Sequence, residues 1–241
     1  MRGIILSGGS GTRLRPLTKI TSKQLLPIYN RPMIYYPLNT LIKASIKEIM
    51  VIVAPERAGD YLNLLGSGRE FGVKFTYEIQ DKPEGIAQAF LIGEKFIDND
   101  NVTLILGDNI FEDDLAADIQ AFTSGAKIFA KQVSDPERFG VVKFDASGRA
   151  EIIVEKPTEK ISDFAVTGLY VYDHRVTQAA KEIKPSARGE LEITDINNWY
   201  LEKGELQVAT INGEWLDTGT FDSLLRAQNF AREKMADKMV I

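Results

Sequence analysis

A chain of 241 residues, 44% apolar and 26% charged, is long enough to bury a substantial core, as an ordinary α/β domain does. It has no cysteine, which removes thiol nucleophiles, disulfides and thiolate metal sites together. Its single histidine, His174, sits in Tyr172-Asp173-His174-Arg175 and reads as a solvated helix start, leaving no Ser-His-Asp triad and no histidine-rich metal site. The net charge of −5 argues against a nucleic-acid coat. No apolar run nears the ~20 residues of a membrane helix. The start, Met1-Arg2-Gly3-Ile4-Ile5-Leu6, is too short for a signal peptide before glycines intervene. A cytoplasmic protein with neither a membrane nor a nucleic-acid partner is therefore expected.

In chain order, the first strand is expected at 3–6, followed at once by Leu6-Ser7-Gly8-Gly9-Ser10-Gly11-Thr12-Arg13-Leu14-Arg15. Glycines let backbone N–H groups approach a ligand closely, and a nest of them favours an anion. The charge pattern agrees. The first 47 residues contain eight Lys and Arg and no Asp or Glu, while residues 48–241 hold 21 basic against 34 acidic side chains. Either feature alone would read as a turn or a solvated face. Together they make this loop a candidate polyphosphate cradle, with Arg13, Arg15 and Lys23 beside it.

Further strands are expected at 48–53, 74–79 and 102–106, with helices at about 31–44, 58–65 and 86–97 between them. This alternation implies βαβ units, and strands apolar on both faces imply a parallel sheet covered on both sides. After residue 125 the strands crowd together, at 127–133, 141–144, 152–155 and 165–172, with Asp145-Ala146-Ser147-Gly148 as a hairpin turn. Helices near 174–183, 193–203 and 220–236 close the chain. The fold class is single-domain α/β: a Rossmann-like mixed, mainly parallel sheet flanked by helices. Ligands of such sheets bind at the carboxyl ends of the strands, where both the 7–15 loop and Gly107-Asp108-Asn109 lie.

Known phosphate loops narrow the chemistry. No Gly-Lys-Ser/Thr tripeptide exists, so this is not a P-loop. A dinucleotide fingerprint would need a glycine at Leu14 and an acid about 20 residues on, whereas the first acid is Glu48. Asp108 ends an apolar strand, where it could either cap a turn or offer a hard oxygen to Mg²⁺. Asp217, in Trp215-Leu216-Asp217-Thr218-Gly219, has the same two readings. Without competing His or Cys ligands, a hard cation is the sensible metal. Glu155-Lys156-Pro157 and Arg188-Gly189-Glu190 read equally as exposed ion pairs or as contacts to a phosphorylated sugar.

Gly8-Gly9-Ser10-Gly11-Thr12-Arg13-Leu14, followed by Ser22-Lys23-Gln24-Leu25-Leu26-Pro27, resembles the signature of the sugar-nucleotide pyrophosphorylases, a nucleotidyltransferase family. Gly85-Ile86-Ala87-Gln88-Ala89-Phe90, Leu106-Gly107-Asp108-Asn109, Asp135 to Val142, Arg188 to Asp195 and Trp215 to Gly219 extend the likeness over almost the whole chain. The resemblance implies a nucleotide-binding part at about 1–125 and a sugar-phosphate-binding part at about 126–241. It implies nucleotide contacts from Leu6, Gly8, Gly9, Gly11, Thr12, Arg13, Gln24, Gln80 and Gly85, with Arg13 and Lys23 catalytic on the departing pyrophosphate. Asp108 and Asp217 would bind Mg²⁺; Gly140, Glu155, Lys156, Val166 and Arg188 would contact the sugar phosphate. The Lys-Gln-Leu-Leu-Pro form resembles members that transfer thymidylyl from dTTP to glucose 1-phosphate rather than uridylyl from UTP. Ser7 stands where many members have alanine, and Val154 where many have glutamate. The resemblance implies a homo-oligomer; longer members continue into a further helical segment that serves a second, regulatory nucleotide site, and this chain resembles a short form.

Overall fold

The computed structural model describes residues 1–9, 11–235 and 239–241. Ser10 of the glycine loop and Ala236, at the end of the expected last helix, lie outside the described residues. The strands are β1 (Arg2–Ser7), β2 (Pro27–Ile28), β3 (Arg31–Pro32), β4 (Glu48–Val53), β5 (Lys74–Ile79), β6 (Val102–Leu106), β7 (Asn109–Phe111), β8 (Ala126–Gln132), β9 (Gly140–Phe144), β10 (Ala150–Glu155), β11 (Phe164–Tyr172), β12 (Leu206–Thr210) and β13 (Trp215–Asp217). The helices are α1 (Tyr35–Lys43), α2 (Ala58–Leu65), α3 (Gln88–Ile92), α4 (Glu94–Ile97), α5 (Ala116–Gln120), α6 (Val176–Glu182), α7 (Ile193–Leu201) and α8 (Phe221–Phe230).

These elements form two compact units. The first comprises Met1–Pro83, Leu104–Ala121 and Gly213–Ile241; the second comprises Glu84–Thr103 and Phe122–Asn212. The chain's last segment, Gly213–Ile241, belongs to the first unit. There β13 pairs antiparallel with β7, placing Asp217 opposite Asn109 and Leu216 opposite Ile110. Leu216, Leu224, Ala227, Ala231 and Met235 then share a core with Leu14, Leu26, Ile28, Met33 and Tyr36.

In the first unit β1, β4 and β5 are parallel, with Ile5 opposite Val51 and Val51 opposite Tyr77. Ile49 to Val53 are fully buried, as a strand covered on both faces requires. Helix α1 starts later than its expected 31–44 because Arg31–Pro32 is held in a short antiparallel pair with Pro27–Ile28. Helix α8 begins where a capping box forms, with Thr220 accepting from the Ser223 amide and the Ser223 hydroxyl accepting from the Thr220 amide.

The second unit is mostly antiparallel. β11 pairs with β8 and β9, β10 pairs with β9, and only β12 runs parallel, beside β8. The expected hairpin turn is present: the Gly148 amide donates to the Asp145 carbonyl at 3.0 Å. The helix expected at 86–97 is two short helices broken at Gly93. An aromatic stack fills the interior, Tyr172 lying edge-on to Phe90 at 5.4 Å and stacked on Tyr200 at 5.5 Å. The α/β class with mixed strand directions is the one the sequence pattern implies.

Candidate functional site

The glycine loop leaves β1 at Ser7 and turns through Gly11, whose φ of 58° is left-handed and suits glycine. A 3-10 turn over Thr12–Leu14 follows. Fully buried Leu14 anchors that turn in the core, so exposed Arg13 and Arg15 flank a fixed point. The Thr18 hydroxyl donates to the Gly11 carbonyl at 2.7 Å and holds the turn from the other side. Gly8 lies directly against Gln80: a methyl group there would come within 2.0 Å of Gln80 Oε1. A methyl at Gly9 would meet nothing within 4 Å, so the loop is open on that side. The Gly107 amide donates to the Leu6 carbonyl at 3.0 Å, which brings the Asp108 turn beside the glycine loop.

Charge concentrates at that junction. Lys23 forms an ion pair with Asp108, and both side chains are only 12% exposed. Asn109 Nδ2 donates to Asp108 Oδ1 at 3.1 Å, while the amide and hydroxyl of Thr218 donate to the Asp108 carbonyl at 3.1 and 2.8 Å. The β7–β13 pairing delivers Asp217 to the same place, and Arg13 reaches the Gly219 turn next to it. Neither aspartate caps a helix; Thr220 does that for α8. Burial pushes the Asp108 carboxyl up, but the Lys23 charge and hydrogen bond, with help from Asn109, hold it below the usual range. Asp217 is pushed up to about 6, first by burial and then by the neighbouring Asp108 charge. The charges of Lys23 and Arg13 oppose that rise without cancelling it. The described residues hold no group of three or more His, Cys, Asp or Glu fit to enclose a metal by themselves. That donor set fits Mg²⁺, which takes one or two carboxylates and completes its shell with water and substrate phosphates.

Gln24 is buried behind this cluster, and its Oε1 accepts from the Ser22 hydroxyl at 2.8 Å and the Tyr61 hydroxyl at 3.1 Å. Sequence reasoning missed Tyr61: it lies in α2, and nothing local distinguishes it from a core aromatic.

The second unit gathers the other candidates. A methyl at Gly140 would lie 3.0 Å from Thr194 Oγ1, 3.3 Å from Glu155 Oε2 and 3.8 Å from Val166 Cβ, so these residues converge. The Thr194 hydroxyl donates to Glu155 Oε2 at 2.6 Å. Arg188 Nη2 donates to both oxygens of Glu192 at 2.8 Å and to Glu155 Oε1 at 3.3 Å. Burial opposes the Arg188 charge, but the Glu192 bond and its carboxylate neighbours raise its pKa above the ordinary value. Lys156 has a positive φ of 42° and lies 3.6 Å from Glu155. Thr194 and Glu192 were also missed, although they stand inside the 188–195 motif; Glu192 follows Arg188 by four positions. Gly85 belongs to the second unit, whereas the other nucleotide candidates belong to the first. Its φ is 108°, and a methyl there would come within 2.3 Å of the Leu191 carbonyl, so the local backbone itself requires glycine.

An anion-favouring glycine loop, a buried carboxylate pair beside it and an α/β scaffold define a nucleotide-handling protein. The chain belongs to the nucleotidyl transferase family, whose model matches residues 2–234. It is 55% identical to a glucose-1-phosphate thymidylyltransferase of Neisseria meningitidis, over 96% of this chain and 83% of that protein. It is 54% identical to one of Mycolicibacterium smegmatis, over 96% and 82%. Among solved structures, a candidate glucose-1-phosphate thymidylyltransferase from Bacillus anthracis in complex with a sucrose superimposes with a TM-score of 0.92 at 51% identity, covering 97% of this chain and 96% of that one. A UDP-glucose pyrophosphorylase complexed with UDP-glucose shares the fold, with a TM-score of 0.85 at 24% identity and coverage of 97% and 98%.

Proposed function

We propose that this protein joins dTTP and α-D-glucose 1-phosphate to give dTDP-glucose and pyrophosphate. The observation that carries this reading is the Lys23–Asp108–Asp217 cluster beside an open glycine loop, in a chain about half identical to thymidylyltransferases. A phosphate oxygen of the sugar phosphate attacks the α-phosphorus, the new P–O bond forms, and the bond to the β-phosphate oxygen breaks. Pyrophosphate leaves with the bonding pair. A sugar phosphate is already largely dianionic at neutral pH, its second pKa being about 6, so no general base is needed. Catalysis rests on positioning and charge neutralisation.

Gly8, Gly9, Gly11 and Thr12 hold the triphosphate, with Leu6 at the end of β1 behind them. Arg13 and Lys23 neutralise charge on the departing pyrophosphate. Gln24, fixed by Ser22 and Tyr61, faces the deoxyribose, and Gln80 with the Gly85 backbone reads the base. In the second unit Gly140, Glu155, Lys156, Val166 and Arg188 take the sugar phosphate. Asp108 and Asp217 hold Mg²⁺, which supplies further charge neutralisation to the triphosphate.

The test is product formation with Mg²⁺, glucose 1-phosphate and either dTTP or UTP, with a sugar-free control. Sugar-dependent dTDP-glucose, formed in preference to UDP-glucose, is expected. Preference for UTP would make the chain a uridylyltransferase, and no product with either would overturn the reading.

A further inference from the structure

In the first unit four polar side chains, Ser7, Ser22, Gln24 and Tyr61, are buried together. A methyl at Gly107 would lie 2.4 Å from Ser7 Oγ and 2.9 Å from Gln24 Cγ, so both side chains pack on the turn that carries Asp108. Ser22 Oγ and Tyr61 Oη are 2.8 Å apart, and they stand 2.8 and 3.1 Å from Gln24 Oε1. A hydroxyl carries a single proton, so two protons serve these three contacts. The Ser7 hydroxyl is 1% exposed and meets no acceptor in good alignment. It neighbours Tyr61, whose pKa burial pushes up to about 12 against hydrogen bonding from Ser22 and Ser7.

Counting protons fixes the direction of this cluster. In one arrangement every proton finds an acceptor: Ser7 donates to Tyr61, Tyr61 to Ser22, and Ser22 to the Gln24 oxygen. The reverse order would start from the Gln24 amide and end on Ser7, whose proton would then have no acceptor among the described residues. A buried donor left unmade is costly. The relay therefore holds the Gln24 oxygen inward and its NH2 group outward. That NH2 group donates to nothing among the described residues, and it is not sealed from the surface. It is an idle donor, set to meet an acceptor oxygen of a ligand.

We propose that Tyr61 and Ser7 are positioning residues for the nucleotide's sugar, which lock Gln24 as a donor to the 3′-oxygen, the one free hydroxyl of the deoxyribose in dTTP. The proposal rests on the thymidylyl-transfer reading, which sets Gln24 at the deoxyribose. Neither Tyr61 nor Ser7 touches the ligand. Without their hydroxyls the Gln24 amide is free to turn its oxygen outward, where it no longer donates.

The test is calorimetric titration of the wild type, Tyr61→Phe and Ser7→Ala with dTTP, and separately with its 3′-deoxy analogue. Each variant deletes one hydroxyl, and the one lost in Ser7→Ala makes no well-aligned bond, so that variant folds. Tyr61→Phe should bind dTTP about fivefold more weakly, the scale of one hydrogen bond, and Ser7→Ala about threefold. For the 3′-deoxy analogue both variants should stay within about twofold of the wild type. Adding Ser7→Ala to Tyr61→Phe should cost nothing further, because Ser7 acts through Tyr61. Unchanged dTTP affinity in either variant would overturn the proposal. Equal losses for dTTP and the analogue would also do so, being the mark of a merely structural role. So would a wild type that binds the analogue as tightly as dTTP, since Gln24 would then make nothing of the 3′-hydroxyl. A wild type that binds UTP but not dTTP would defeat the thymidylyl reading and the proposal with it, a result visible before any variant is compared.

Discussion

Asp173 in the second unit and Asp217 in the first are both carboxylates set among protein groups, and they titrate in opposite directions. Burial would raise Asp173, but hydrogen bonds from Arg175, the Gly125 amide and the Tyr200 hydroxyl outweigh it and hold the carboxyl below its ordinary value. For Asp217 the charges of Lys23 and Arg13 do not outweigh burial. Burial and the charge of Asp108 push it up to about 6. A satisfied buried charge holds a fold together, whereas an under-compensated one is a standing cost that a bound cation would relieve. The same contrast separates the two candidate subsites. Arg188 is already shared among Glu155, Glu190 and Glu192, while the glycine loop and its arginines are open.

The largest expected effect is at Lys23. Lys23→Ala should lower turnover roughly 100-fold or more, the scale of losing one charge partner of the transition state. A variant with near wild-type kcat would remove Lys23 from the reaction.

Asp173→Asn should destabilise the protein by about 2–3 kcal/mol at neutral pH, because Arg175 and Tyr200 would lose a charged partner. A carboxyl lowered in the folded state contributes stability above its unfolded pKa and loses it as pH falls through the folded one. The difference in urea stability between wild type and variant should therefore shrink below about pH 4. A difference that persists there would contradict the satisfied-charge account.

Asp217→Asn should behave oppositely. A carboxyl raised in the folded state costs stability progressively as pH rises from its unfolded pKa of about 4 to its folded value of about 6, so the metal-free variant should gain about 1–2 kcal/mol at pH 8. The gain should fade only toward pH 4 and below, where the carboxyl is protonated in both the folded and unfolded states, and destabilisation at pH 8 would break the comparison. Smallest of all, Arg188→Ala should raise the KM for glucose 1-phosphate about fivefold, with that for dTTP little changed, since Arg188 is largely neutralised by its own neighbours. A rise confined to dTTP would place Arg188 in the wrong subsite.

Much of this was legible in the sequence because strong local patterns coincide with the fold. β4, β5 and β6 fall at their expected boundaries, since runs such as Glu-Ile-Met-Val-Ile-Val are apolar on both faces and end at turn residues. The hairpin at 145–148 was legible from its Asp and Gly. β12 and β13 were not: Leu206–Thr210 is half exposed, and Trp215–Asp217 is only three residues long, held by its partner β7 rather than by its own propensity. The interleaving of the two units was invisible for the same reason, because it depends on where residues 213–241 pack. Within the site, glycines and charged residues announced themselves through motif spacing. Tyr61 and Glu192 did not, because their roles come from what they touch across the fold.

The central claim is that the Asp108–Asp217 pair, with Lys23, is a metal-dependent triphosphate centre. The most direct measurement is the magnesium concentration needed for half-maximal turnover with dTTP and glucose 1-phosphate, for wild type and Asp217→Asn. The account predicts that the variant needs roughly tenfold more magnesium or cannot be saturated. An unchanged magnesium requirement at undiminished turnover would contradict it.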